Sequence, residues 1–222
     1  MSETLFDRLK AANLDHWNAY IHHAFVVGMQ DGSLPKTAFQ FYLVQDYLFL
    51  IQFARAYALA AYKANTLEDL KAAAETVTAL TDTEMKLHVQ YCEEWGISEK
   101  EMQATAEAPQ NMAYTRYVME RGMSGDILDL YVALAPCVVG YGEIGARLIS
   151  SPDTLREENP YLPWIEMYGG DDYQSVAKAA ISQLDRLAAT RLTDARFDDL
   201  LKTFGDATRL EVGFWQMGID AT

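Results

Sequence analysis

The chain has 222 residues, half of them apolar, with 32 acidic against 18 basic side chains. That length fits one domain and can bury a full core without staples. The negative charge argues against binding to DNA, RNA or anionic membranes, and two cysteines are too few for a disulfide framework and fit a reducing, cytoplasmic setting.

The opening residues, MSETLFDRLKAANLDHW, have neither a basic start nor a long apolar run, so no signal peptide is expected. No uncharged apolar stretch reaches the ~20 residues that cross a bilayer. With no repeat, low-complexity tract or linker, residues 1–222 are expected to form a single helical domain.

The first helix is predicted from about Thr4 to Val27, on the stripe Leu5, Leu9, Trp17, Ile21 and Phe25, stopping at Gly28. Asp31-Gly32-Ser33 is turn chemistry, and Pro35 suits the first position of a second helix running to about Lys63. Thr66-x-x-Asp69 resembles a capping box and opens a third helix that ends near Trp95-Gly96. A short element is expected at Ser98-x-x-Glu101, then a fourth long helix from Asn111 to about Arg121, broken by Gly122 to Gly125. Helices are predicted next over Asp126–Ser150, around Trp164–Tyr168, near Asp172–Arg191 and from Thr193 to about Met217. Seven or eight helices with short connections make an all-α, multi-helix bundle.

Several apolar stripes carry a residue of the wrong type. In the second helix Phe39, Leu43, Asp46, Leu50, Phe53 and Tyr57 share a face, and Asp46 fills a slot suited to a hydrophobe. Glu211 does the same between Thr208 and Phe214. Cys137 is central in the stripe Ile127, Leu130, Leu134, Cys137, Tyr141, Ile144 and Leu148, and Pro136 before it removes a helical hydrogen bond. Glu84 and His88 share the stripe of the third helix.

An unpaired buried carboxylate costs several kcal/mol. Stripes that bring Asp46, Glu211 and Cys137 together would therefore build a reactive pocket with aromatic walls. Each residue also has a plainer reading. Cys137 as a small buried hydrophobe, the carboxylates at a core rim, Glu84 with His88 as an i, i+4 pair, and the aromatics as core would all fit the pattern. His22-His23 reads as a surface or capping feature. Cys-x-x-Cys, His-Glu-x-x-His, Glu-x-x-His and Gly-x-Ser-x-Gly are absent. Gly140-Tyr-Gly142-Glu-Ile-Gly145 lies within a helix stripe and reads as close helix packing rather than a dinucleotide loop.

A set of short blocks occurs in order along the chain. They are His23-Ala-Phe-Val-Val-Gly28, Asp31-Gly-Ser-Leu-Pro35, Gln45-Asp46-Tyr47, Ala113-Tyr114-Thr115-x-Tyr117, Pro136-Cys137-x-x-Gly140-Tyr141, Trp164-Ile165-x-x-Tyr168-Gly169 and Glu211-x-x-Phe214-Trp215-x-Met217. Together they resemble the TenA family, the thiaminase II or aminopyrimidine aminohydrolase group. The resemblance implies a haem oxygenase-like bundle, usually a homotetramer, with no metal or organic cofactor. It implies hydrolysis of 4-amino-5-aminomethyl-2-methylpyrimidine, and of thiamin, to the hydroxymethylpyrimidine in thiamin salvage. By position, Cys137 looks like the nucleophile. Glu211 would bond a ring nitrogen and move its proton, and Asp46 would hold the 4-amino group and a second ring nitrogen. Tyr114, Tyr141 and Tyr168 resemble pocket tyrosines, with Phe49 and Phe214 packed on the ring. Ala24 stands where the family often has proline, and Phe49 where some members have tyrosine.

Two further readings compete. A metal-dependent oxidase on the same bundle would recruit Glu84, His88, Asp46 and Glu211, though its Glu-x-x-His pairs are missing. A non-catalytic pyrimidine binder, or a regulatory protein, would bind without turnover, and the acidic charge opposes direct DNA contact.

Overall fold

A computed structural model describes residues 3–222, and among them the chain forms helices and turns with no strand. The segment predicted as one opening helix is three: α1 (Leu5–Ala12), α2 (Leu14–Ile21) and α3 (Ala24–Asp31). Asn13 makes the first break, its side-chain amide donating to the carbonyls of Leu9 and Leu201. A side-chain amide that bonds backbone groups competes with the helical ladder. His23 makes the second, as its ring accepts the Phe25 N–H at 3.2 Å and caps α3. Gly28 does not stop α3; a Cβ there would press on Leu34, so it is a packing position. The stop is Gly32, left-handed at φ 77°.

Helix α4 (Lys36–Lys63) runs as predicted, with Pro35 just ahead of it. The third predicted helix holds an interruption: α5 (Leu67–Thr78) passes through a π-helical turn (Ala79–Glu84) into α6 (Met85–Glu94). The Thr66 hydroxyl accepts the Asp69 N–H and caps α5. Ser98 and Glu101 form a full capping box on α7 (Glu99–Ala104). Helix α8 (Pro109–Ser124) continues through Gly122, where a Cβ would meet Leu59 and Leu130. The glycine is there for close packing, not as a breaker. Asp126 caps α9 (Ile127–Ser150), and α10 (Leu162–Gly169), α11 (Asp171–Arg191) and α12 (Asp194–Asp220) follow. Among the described residues twelve α-helices stand against the seven or eight expected: the opening segment splits in three, a π turn divides the third helix, and the short elements at Ser98 and Trp164 are helices of their own.

Helix α9 lies at the centre, packed against α8, α10, α11 and α12, while α4 packs on α5, α6, α8 and α12. By length and composition α9 could cross a membrane, although Asp129 and Glu143 interrupt its uncharged run; 89% of its most apolar window is buried within the protein. Its apolarity is that of a core helix. The glycines of its second half work as expected. A Cβ on Gly140 would strike Tyr20, one on Gly142 would press on Ala177, and one on Gly145 would strike the backbone of Tyr168. This close approach sets α10, and with it Tyr168, against the cysteine-bearing helix.

Candidate active site

A cavity of about 1190 Å³ opens between α4, the α5–α6 arm, α9, α10 and α11. Its inner end is lined by Asp46, Phe49, Cys137, Tyr141, Trp164 and Tyr168, all buried, and its outer rim by exposed Glu75, Ala79, Thr83 and Leu87. Five of the eight predicted site residues thus line one cavity: Asp46, Phe49, Cys137, Tyr141 and Tyr168. The other three, Glu211, Tyr114 and Phe214, stand just behind its wall and are almost fully buried. Phe49 stacks on Tyr114 at 5.4 Å between ring centroids and meets Phe214 edge-on at the same distance. The Glu211 carboxyl adjoins the Cys137 thiol, and the Tyr114 hydroxyl donates to its Oε1 at 2.8 Å. Side chains from α4, α9 and α12 therefore converge at one place.

Burial decides the protonation of this group. It pushes the Glu211 carboxyl up to about 8, with Asp46 adding to the rise and the Tyr114 and Cys137 hydrogen bonds opposing it. Asp46 is pushed up to about 7 by burial, and the nearby Tyr42 hydroxyl draws it part of the way back. Burial also holds the Cys137 thiol well above its ordinary value, and the charges of Glu211, Asp46 and Glu84 push the same way. A carboxyl in low dielectric keeps its proton, and like charges at one site oppose each other's ionisation. Near neutrality the pocket therefore holds a thiol beside protonated Glu211.

His88 was expected as a partner of Glu84. It turns instead to α4, where Nε2 lies 2.9 Å from the Leu43 carbonyl and Nδ1 lies 3.5 Å from Asp46 Oδ2. A carbonyl only accepts, so Nε2 carries the proton. Burial lowers the pKa of His88. The neutral ring then offers a lone pair on Nδ1 to a protonated Asp46, which fixes the direction in which Asp46 can donate.

Sequence reasoning did not mark Tyr42, Trp164 or Tyr173 as site residues. Trp164 Nε1 donates to the Tyr42 hydroxyl at 3.2 Å, and the Trp164 ring packs 4.4 Å from that of Tyr168. The Tyr173 hydroxyl donates to the Val138 carbonyl at 3.3 Å, and its ring meets Tyr168 edge-on at 4.7 Å. The one available signal was spacing: Tyr42 lies four residues before Asp46 on the same helix face. Ala24 occupies the first position of α3, so the missing proline alters only a helix start. Among the described residues no three His, Cys, Asp or Glu side chains are placed to hold a metal ion.

With this geometry in hand, comparison with known proteins gives a consistent result. The model of the TENA/THI-4/PQQC family matches residues 11–221. A crystal structure of a TenA family transcription regulator from Silicibacter sp. TM1040 superposes with a TM-score of 0.93 at 49% identity, covering 99% of each chain. An uncharacterized Haemophilus influenzae protein is 40% identical over 205 residues, 92% of this chain and 94% of its own. An aminopyrimidine aminohydrolase from Halalkalibacterium halodurans is 38% identical over 202 residues, 90% of this chain and 89% of its own. A Shewanella denitrificans domain with a haem oxygenase-like fold, at 12% identity and a TM-score of 0.71 over 97% of this chain and 92% of that one, shares the fold alone. The bundle is haem oxygenase-like, as expected.

Proposed function

The chain belongs to the TENA/THI-4/PQQC family, and from that premise we propose that it is a cysteine-dependent aminopyrimidine aminohydrolase. The substrate is 4-amino-5-aminomethyl-2-methylpyrimidine, with thiamin as a second substrate, and the hydroxymethylpyrimidine product serves thiamin salvage. The observation that carries this reading is the meeting of Cys137, Glu211 and Asp46 at the inner end of one aromatic cavity.

The chemistry follows from that arrangement. A flat pyrimidine enters between Phe49, Tyr141 and Tyr168, which orient it and exclude water. Asp46, its proton turned to His88 Nδ1, accepts from the 4-amino group at the cavity wall. The Cys137 sulfur adds to a ring carbon while Glu211 takes the thiol proton on one oxygen and gives its own proton to the adjacent ring nitrogen. Carbon and nitrogen joined by one bond are close enough for a single carboxyl beside the thiol to serve both. For the second transfer the Glu211 carboxyl must come within hydrogen-bond reach of the ring seated against Cys137. No free thiolate need accumulate, which fits a thiol held protonated by its surroundings. The Tyr114 hydroxyl fixes the Glu211 carboxyl for the transfer.

A cytoplasmic homotetramer is part of the same proposal. Exposed Tyr62 and Met123 lie close in sequence to the Lys63 to Gly125 hydrogen bond that ties the ends of α4 and α8, and such apolar exposure favours association. The test of the activity is conversion of the aminomethylpyrimidine to the hydroxymethylpyrimidine with one equivalent of ammonia, in protein treated with chelator. Binding of the pyrimidine with no ammonia would leave a binding protein in place of an enzyme. Turnover that chelation abolishes would favour a metal-dependent reaction.

A further inference from the structure

One carboxyl in the cavity has no role in the scheme above. Glu84 ends the π-helical turn Ala79–Glu84, and its side chain lines the cavity between the buried end and the exposed rim. Among the described residues it makes no hydrogen bond or ion pair, although it is half-buried. Its oxygens are not sealed in the protein, so they open into the cavity. Turns of this kind break the helical register and recur at functional sites. Cys137, Tyr57, Tyr168 and Tyr173 line the same cavity as Glu84 and feel its charge.

A carboxyl left open here is matched to a cation. The aminomethyl group of the substrate is an alkylamine, which near neutrality carries a proton as lysine does. Moving that ammonium into an aromatic pocket is costly unless a carboxylate meets it. Asp46 and Glu211 are committed to the ring, and the leaving group must depart toward the open side, where Glu84 stands. We infer that Glu84 binds the substrate's exocyclic ammonium and then takes a proton from the water that replaces it.

The step balances and rests on the aminohydrolase reading. Once sulfur has added to the ring, the carbon–nitrogen bond breaks and its electron pair leaves with ammonia. Water oxygen bonds the methylene carbon, and its proton passes to Glu84. The carbon–sulfur bond then breaks, and the ring proton returns to sulfur through Glu211. The proton on Glu84 then passes to solvent, where the departed ammonia takes up one proton as ammonium. Burial and the neighbouring Asp46 push Glu84 up to about 7. A bound ammonium would bring it back into the ionised form that both roles require.

The test separates recognition from turnover. In a Cys137→Ser background, the affinities of the cationic aminomethylpyrimidine and the neutral hydroxymethylpyrimidine are measured by calorimetry with and without Glu84→Gln. Loss of the carboxylate is expected to weaken the cation by about tenfold or more and the neutral ligand by no more than about twofold. With Cys137 present, Glu84→Gln is expected to lower kcat/KM for ammonia release by about 100-fold, and Glu84→Asp to recover part of it. Equal affinity loss for both ligands, or none for the cation, overturns the inference; Glu84→Asp carries the same comparison if the glutamine variant does not fold. Cation selectivity through Glu84 in a wild-type protein that releases no ammonia would overturn the activity while leaving the recognition in place.

Discussion

Replacing Glu211 by glutamine should make the protein more stable and far less active. In the unfolded chain this carboxyl keeps its ordinary value of 4.5, while in the fold it stands at about 8. At pH 7 the native state therefore holds a proton that the unfolded chain sheds. Each pH unit between 4.5 and 7 costs folding ~1.4 kcal/mol, about 3 kcal/mol in all. Because the folded state binds more protons, this stability is fully present below 4.5 and is lost progressively as pH rises to about 8. Glutamine has the same shape, carries no charge to lose and still offers an oxygen to the Tyr114 hydroxyl. At pH 7 Glu211→Gln should thus gain at most about 3 kcal/mol, a rise in Tm of ~6–12 °C for a chain of this size. At pH 5 the gain should shrink below ~1 kcal/mol. Ammonia release should fall by ~100- to 10,000-fold, since the proton path between sulfur and ring nitrogen is gone. Thermal unfolding at pH 5, 7 and 8 reads the first effect. A gap that does not widen with pH, or a variant less stable than the parent at pH 8, would refute the assignment of a buried, protonated carboxyl.

Three other substitutions test the surroundings. Tyr114→Phe removes the hydroxyl that donates to Glu211 at 2.8 Å and lowers its pKa; kcat should fall by about tenfold, and the loss of activity that sets in above about pH 8 should move to higher pH in a kcat–pH profile. Gly145→Ala drives a methyl group into the Tyr168 backbone and should cost ~1–3 kcal/mol while raising KM. Gly213→Ala, on α12 with open space around it, should instead stabilise by ~0.5–1 kcal/mol, both read by urea unfolding.

The residues most readable from sequence were those whose type conflicts with their position. Asp46 and Glu211 break apolar stripes, and both are buried at 5% and 1% exposure. Cys137 sits mid-stripe on the central helix, as the pattern indicated. Which way a polar side chain turns was not readable, because its partner is remote in sequence. His88 shares a stripe with Glu84 but bonds the Leu43 carbonyl, 45 residues away. Asn13 breaks the first helix with a partner at Leu201, 188 residues on. Gly28 and Gly122 look like helix stops in isolation; they are contact points whose neighbours, Leu34 and Leu59, come from elsewhere. The π turn that carries Glu84 has no local signature at all. Hydrophobic periodicity thus reports which face is buried, and tertiary contact decides what that face meets.

The proposed activity depends on sulfur chemistry at the α9 cysteine. Ammonia release from the aminomethylpyrimidine by Cys137→Ser, measured on protein whose fold and pyrimidine affinity match the parent, addresses it directly. Turnover reduced by about 1000-fold or more with binding intact is the predicted result; turnover close to that of the parent would show that the ring is not attacked from position 137.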